Sequence, residues 1–151
     1  MLKRVLFWLL WPGLFMYFRA SRRARVVLID GDYNILLVKD RFLLWFNKDQ
    51  WALPGGGLRR FETPEAGAIR ELQEELGVRL HAPKLTLLGR SRISTYGLRY
   101  QAYFLLAHVS RTISLRLKTS EVAVAEWHKI STLEAKTLKP EVLEAVRLLR
   151  A

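Results

Sequence analysis

Residues 63–77 read TPEAGAIRELQEELG, and this stretch constrains the fold more than any other part of the chain. Thr63 carries the side-chain acceptor of a helix N-cap, Pro64 suits the first helical position, and Glu65 puts an acid in the first turn. Gly77 supplies a left-handed stop. The spacing therefore predicts a helix over 64–76. Ile69, Leu72 and Leu76, at i, i+3 and i+7, form the stripe it buries. Glu71, Glu74 and Glu75, at i, i+3 and i+4, share a different face. Three like charges there repel one another. Arg70 can pair with Glu74 one turn on, but one arginine does not balance three acids. Such a face is either solvated or neutralised by a divalent cation.

The rest of the chain alternates strand and helix signals around this element. VVLID (26–30) and ILLVK (35–39) are apolar runs joined by Gly31-Asp32-Tyr33-Asn34, a hairpin signal. The segment 41–53 mixes charge and aromatics and reads as a loop or short strand before Pro54-Gly55-Gly56-Gly57. Further strands are expected near 84–94, 98–109 and 122–127, with Gly97 in a turn and a helical turn at 132–136. Pro140 opens a last helix through Arg150, with Val142, Val146 and Leu149 on one face. No repeat or linker interrupts the pattern. A chain of 151 residues fits one α/β domain, here 25–151, after a basic N-terminal segment, 1–24.

Composition narrows the chemistry. There is no cysteine, so thiol nucleophiles, zinc–thiolate sites and disulfides are excluded. His81, His108 and His128 are too scattered for a histidine metal cluster. Any metal is then a hard cation held by oxygen.

From Gly56 to Val78 the chain reads G-x5-E-x7-R-E-U-x-E-E-x-G-U, where U is apolar, with Glu62 as the first acid and Arg70-Glu71 and Glu74-Glu75 as the rest. This resembles the Nudix box, with every defining position matched over 23 residues. An opening hairpin, Trp51-Ala52-Leu53-Pro54 before the glycines, and Glu121 ahead of Trp127 are similar to the same family. The resemblance implies an α/β/α sandwich with a mixed sheet (an α+β arrangement), its box helix following the glycine-rich loop. It implies a hydrolase of diphosphate linkages dependent on Mg2+, with Mn2+ as a substitute. Glu71, Glu74 and Glu75 would be metal ligands, joined by a carbonyl of Gly55 or Gly56. One of these acids, or Glu121, would act as base, Arg70 would orient the glutamates, and Glu62 would tether the loop. Glycines let a backbone approach a phosphate chain closely, which agrees with that reading.

The sequence also departs from the family. Between Gly57 and Glu62 the family usually has an acid and a glycine, whereas here the run is Leu58-Arg59-Arg60-Phe61. Arg59 and Arg60 either contact substrate phosphate or form a solvated basic loop; Phe61 stands where the family has glycine. No ADP-ribose, dinucleoside polyphosphate or coenzyme A signature is visible. The default substrate is a nucleoside triphosphate or a nucleotide sugar. Trp45, Phe46, Tyr96, Tyr100 and Tyr103 are either core or a stacking face for a base. A non-catalytic ligand-binding Nudix domain is an alternative, which the intact acids disfavour.

Net charge is +11, and residues 1–25 contribute six bases without an acid. Within them Val5 to Phe18 is an uncharged apolar-aromatic run, short of the ~20 residues that span a bilayer and broken by Pro12-Gly13. It has no small-residue cleavage site after it, so it does not read as a signal peptide. Two readings stay open: an interfacial segment whose arginines meet anionic head groups, or a helix packed on its own domain or across a homodimer. The first adds a further alternative, a membrane-surface hydrolase of a lipid-linked pyrophosphate. The expected location is cytoplasmic, peripheral at the inner face of a membrane. No specific nucleic-acid module is visible.

Overall fold

The computed structural model describes Val5 and residues 21–45, 49–81 and 84–151. The expectations for the N-terminal run beyond Val5, for Phe46 and for the Trp45 side chain fall outside the described residues. Five strands form one sheet: β1 (Arg22–Ile29), β2 (Asn34–Asp40), β3 (Thr86–Thr95), β4 (Leu98–His108) and β5 (Val122–Lys129). Their order is β3-β4-β1-β2-β5. β1 and β4 are parallel and the other neighbours antiparallel, so the sheet is mixed as expected. The β1–β2 turn is closed by Asp30, whose carboxylate accepts the Asn34 backbone N–H at 2.9 Å and its side-chain amide at 2.7 Å.

Among the described residues of the domain, three helices accompany the sheet: α1 (Arg41–Trp45), α2 (Pro64–Leu76) and α3 (Pro140–Leu149). The box helix α2 has the predicted boundaries. Thr63 Oγ1 accepts from Ala66 N at 3.2 Å, and Gly77 takes the left-handed cap at φ 66°. Ala68, Leu72 and Leu76 of α2 pack on Ala24, Val26, Leu28, Leu36 and Leu105 on one sheet face. On the other face, Val142 and Ala145 of α3 meet Val27, Ile29, Ile35, Leu37 and Phe104. β1 is thus covered on both sides, which is why its sequence is a continuous apolar run rather than an alternating one. Each fully buried leucine contributes roughly 2 kcal/mol. The expected α/β/α sandwich is what forms.

The structure differs from the sequence reading in four places. β1 starts at Arg22, ahead of the apolar run, because Gln101 to Tyr103 of β4 on one side and Gly57 on the other give its arginines backbone partners. Residues 41–45 are helical rather than loop or strand; Asp40 caps them by accepting from Leu43 N at 3.0 Å. The turn expected at 132–136 is two short 3-10 turns, Ile130–Thr132 and Ala135–Thr137. In α3 the deepest residues are Glu141, Val142 and Ala145, while Val146 and Leu149 are only half-buried, because the first turn of the helix reaches inward to an arginine. No helix among the described residues is long and apolar enough to cross a membrane.

Candidate active site

The glycine loop lies along the first half of β1. Ala24 N donates to Gly56 O at 3.0 Å, Val26 N to Pro54 O at 2.9 Å, and Leu58 N to Arg22 O at 2.8 Å. Gly55 has φ 122°, and a Cβ there would lie 2.3 Å from the Ala24 carbonyl oxygen, so only glycine fits. At Gly56 a Cβ would lie 2.6 Å from the Glu71 carboxylate. The missing side chain is what lets that carboxylate reach the loop.

Arg70 organises the acids from the helix side. Its Nε and Nη2 hold Glu62 at 2.8 and 2.9 Å, Nη2 also reaches Gly57 O at 2.9 Å, and Nη1 holds Glu71 at 2.6 Å. The i+4 partner foreseen from sequence, Glu74, is the loosest contact at 3.5 Å. Glu62 accepts Arg59 N at 2.8 Å as well, so it ties the loop to α2 as the resemblance implies. The bonds from Arg70 hold its carboxyl down at about 2.

Glu75 turns inward, accepting Gly55 N at 2.9 Å. Burial pushes its carboxyl up to about 7; the Gly55 bond and Arg25 oppose this, and the charges of Glu71 and Glu121 add to it. Glu71, Glu75, Glu121 and the three glycines line one cavity of about 400 Å3. Glu121, from the turn before β5, is half-exposed and paired with Lys118 at 2.7 Å.

The Arg25–Glu141 pair at the opposite end of that cavity was not foreseen. Arg25 is buried, donating to Gly55 O at 2.7 Å and lying 3.3 Å from Glu141, which is itself 1% exposed. Tyr100 donates its hydroxyl to Glu141, and the Arg25 and Arg23 guanidinium groups lie 5.8 and 5.1 Å from the Tyr100 ring centre. Tyr96, Leu98, Phe42 and the buried Lys139 complete this wall. Burial alone would raise the Glu141 carboxyl, but Arg25 and Lys139 hold it below the usual range. Glu141 reads in sequence as an ordinary first-turn acid after Pro140. A proline-started helix whose second residue is the lone charge before an apolar pair was the only signal. Arg25, counted from sequence with the charges available to head groups, is corrected to a buried support of the glycine loop, because its guanidinium is consumed by Gly55 and Glu141.

The other predicted residues separate by role. Arg59 is exposed and reaches Glu74 at 3.4 Å, and Arg60 lies over the Phe61 ring at 4.9 Å. Tyr100 and Tyr96 face the cavity, whereas Tyr103 packs with the α2 core. The carbonyls of Gly55 and Gly56 each already accept one hydrogen bond and keep one lone pair. A hard dication suits this donor set: oxygen ligands only, like charges crowded against one another, and a loop position that a Cβ would fill. Among the described residues no three acids or histidines converge as a ready-made cage. Glu71 and Glu74 would swing from Arg70 to close one.

A model of the NUDIX domain matches residues 20–149. The chain belongs to the NUDIX domain family. Hydrolases of this family generally use a divalent metal. Nudix hydrolase 5 of Arabidopsis thaliana is 24% identical over 123 residues, 80% of this chain and 41% of that protein. An RNA pyrophosphohydrolase of Hydrogenovibrio crunogenus is 32% identical over 106 residues, 58% of this chain and 63% of that protein. The chain therefore spans less than two thirds of the length of these relatives. The crystal structure of a MutT NUDIX hydrolase from Burkholderia pseudomallei superimposes with a TM-score of 0.73 at 24% identity, covering 86% of this NUDIX chain and 98% of that one. That likeness establishes the fold.

Proposed function

We propose that this NUDIX domain hydrolyses a diphosphate linkage in a nucleoside diphosphate-linked compound, such as a nucleoside triphosphate or nucleotide sugar. The observation that carries this is the shared cavity, where Glu71, Glu75 and Glu121 meet the glycine loop at one end and Tyr100, Tyr96 and Leu98 form the other. Glu71, Glu74 and Glu75, with a free lone pair of Gly55 or Gly56, would hold Mg2+ (or Mn2+ in its place). Bound there, the ion supplies charge neutralisation of the diphosphate and acidifies the attacking water. The glycines admit the diphosphate to the loop backbone without side-chain obstruction. Arg70 holds Glu71 beside the loop, and Glu62 locks Arg70. Glu75, turned inward onto Gly55, is the acid we assign to take the proton of the attacking water, and Glu121, on the same cavity, is the other acid able to do so. Arg59, exposed and 3.4 Å from Glu74, would meet an outer phosphate on leaving that acid.

The test is release of phosphate or pyrophosphate from a panel of nucleoside triphosphates, nucleotide sugars and a triphosphate-ended RNA oligonucleotide, the last included because of the relative named above. Turnover of at least one compound, abolished by EDTA and restored by Mg2+, is expected. Turnover that EDTA does not touch, or none across the panel, would sink the proposal.

A further inference from the structure

The eight basic residues between Leu76 and Ser120 are accompanied by no acid at all. Pairing in the sheet gathers part of this excess onto one surface. Arg22 of β1 is opposite Gln101 of β4, and Gln101 is opposite Arg92 of β3. Arg90 is opposite Tyr103, and Arg99 is opposite Ser94. Residues opposite one another, and those two apart along a strand, share a face. Arg22, Arg90, Arg92 and Arg99 therefore stand together on the face that α2 covers elsewhere. The assignment agrees with Ser91 on the reverse face, bonded to Glu144 of α3, and with Tyr103 and Ala24 packing toward α2.

Here α2 does not reach. All four arginines are exposed, as are Ser94 and Leu87, the latter by 51%. None of the four has an ion-pair partner among the described residues. Arg59, Arg70, Arg147, Lys39, Lys118 and Lys136, by contrast, each hold an acid. Strand geometry sets Arg22 and Arg92 about 10 Å apart across the sheet, with Arg90 and Arg99 roughly 7 Å to either side of that row.

We propose that this face of β1, β4 and β3 is a docking surface for an anionic phospholipid membrane. A flat field of unneutralised guanidinium groups complements a sheet of anionic head groups. The choice of lipid over another polyanion rests on continuity: Arg22 comes three residues after Arg19, which ends the uncharged run VLFWLLWPGLFMYF, whose composition suits a lipid interface and not a nucleic-acid backbone. Leu87, bare beside the arginines, adds an apolar contact. None of the four arginines lines the cavity of the acids, so this assignment stands apart from the hydrolase reading.

The full chain is centrifuged with vesicles of phosphatidylcholine alone, and with roughly a third phosphatidylserine. The variants are the triple Arg90→Gln/Arg92→Gln/Arg99→Gln and, as a control for net charge, Lys129→Gln/Lys136→Gln/Arg150→Gln. Wild type should bind only the anionic vesicles and release as salt rises. At about fivefold per arginine, the first triple should lose about a hundredfold in partitioning, with the control clearly less affected. Equal losses in both triples, no loss in the first, or equal binding to neutral vesicles would each overturn the proposal. So would a single-stranded RNA that displaces the vesicles and binds through the same three arginines. If the triple melts early, the single Arg92→Glu variant is read instead, with at least a tenfold loss expected and no loss contradicting.

Discussion

Phe61 has a backbone φ of 63° and a side chain that is 86% exposed. Phe61 stands where the resemblance implies glycine, and a left-handed dihedral is one that glycine adopts without strain. A left-handed conformation costs a non-glycine residue about 1–2 kcal/mol. The exposed ring returns little beyond the Arg60 contact. Phe61→Gly should therefore raise stability by roughly 0.5–1 kcal/mol, after the entropy glycine adds to the unfolded chain. Denaturant unfolding measures it, and a lower midpoint would contradict the reading. Glu62, Arg70, Glu71 and Glu75 were legible because helix and loop spacing fixes where they lie. Arg25 and Glu141 were not, since what makes them partners is a tertiary approach between the first strand and the last helix. Neither has a local pattern that announces it.

At the scale of elements, caps were legible and buried faces less so. Thr63, Pro64 and Gly77 act on their own neighbours, so α2 begins and ends where expected. α3 is held from two sides by acids that its sequence presents as surface charge. Glu141 pairs with Arg25 under the sheet. Glu141→Leu leaves that arginine buried without its partner and should cost about 3–5 kcal/mol in equilibrium unfolding. Combining it with Arg25→Met should recover a large part of that loss, and a double variant no better than the single would refute the pairing argument. Glu144 binds Arg147 through both oxygens and also accepts from Ser91 of β3. These bonds, Arg147 first and Ser91 next, hold its carboxyl at about 2. A carboxyl lowered on folding adds stability that is full above its unfolded value, near 4.5, and is lost as pH falls toward 2. Arg147 is mostly exposed, so screening keeps the contribution to about 1 kcal/mol. Glu144→Gln should be less stable than wild type by that amount at pH 7, and the gap should close by pH 2. A gap that persists unchanged at pH 2 would show that the charge is not its source.

Across the whole molecule, charge is segregated rather than merely positive. All fourteen acids lie in residues 26–75 and 121–151, the parts that build the glycine loop, α2, the turn into β5 and α3. The 76–120 stretch that builds β3 and β4 has none. Adding charges over the domain concealed this, because acids in one part offset bases in another and leave a modest total. Only the register of β1, β4 and β3 shows four arginines on one face and the carboxylates collected in the cavity. The fold class was legible from apolar periodicity and the box; the allocation of charge to surfaces required the strand order. We propose that Glu75, the inward-facing acid of α2, does the chemistry. The measurement that tests it most directly is steady-state turnover of the best phosphorylated substrate in saturating Mg2+ by wild type and by Glu75→Gln. Loss of the general base predicts a fall in kcat on the order of a thousandfold in a protein that still unfolds cooperatively. Equal turnover by the two proteins would contradict the account.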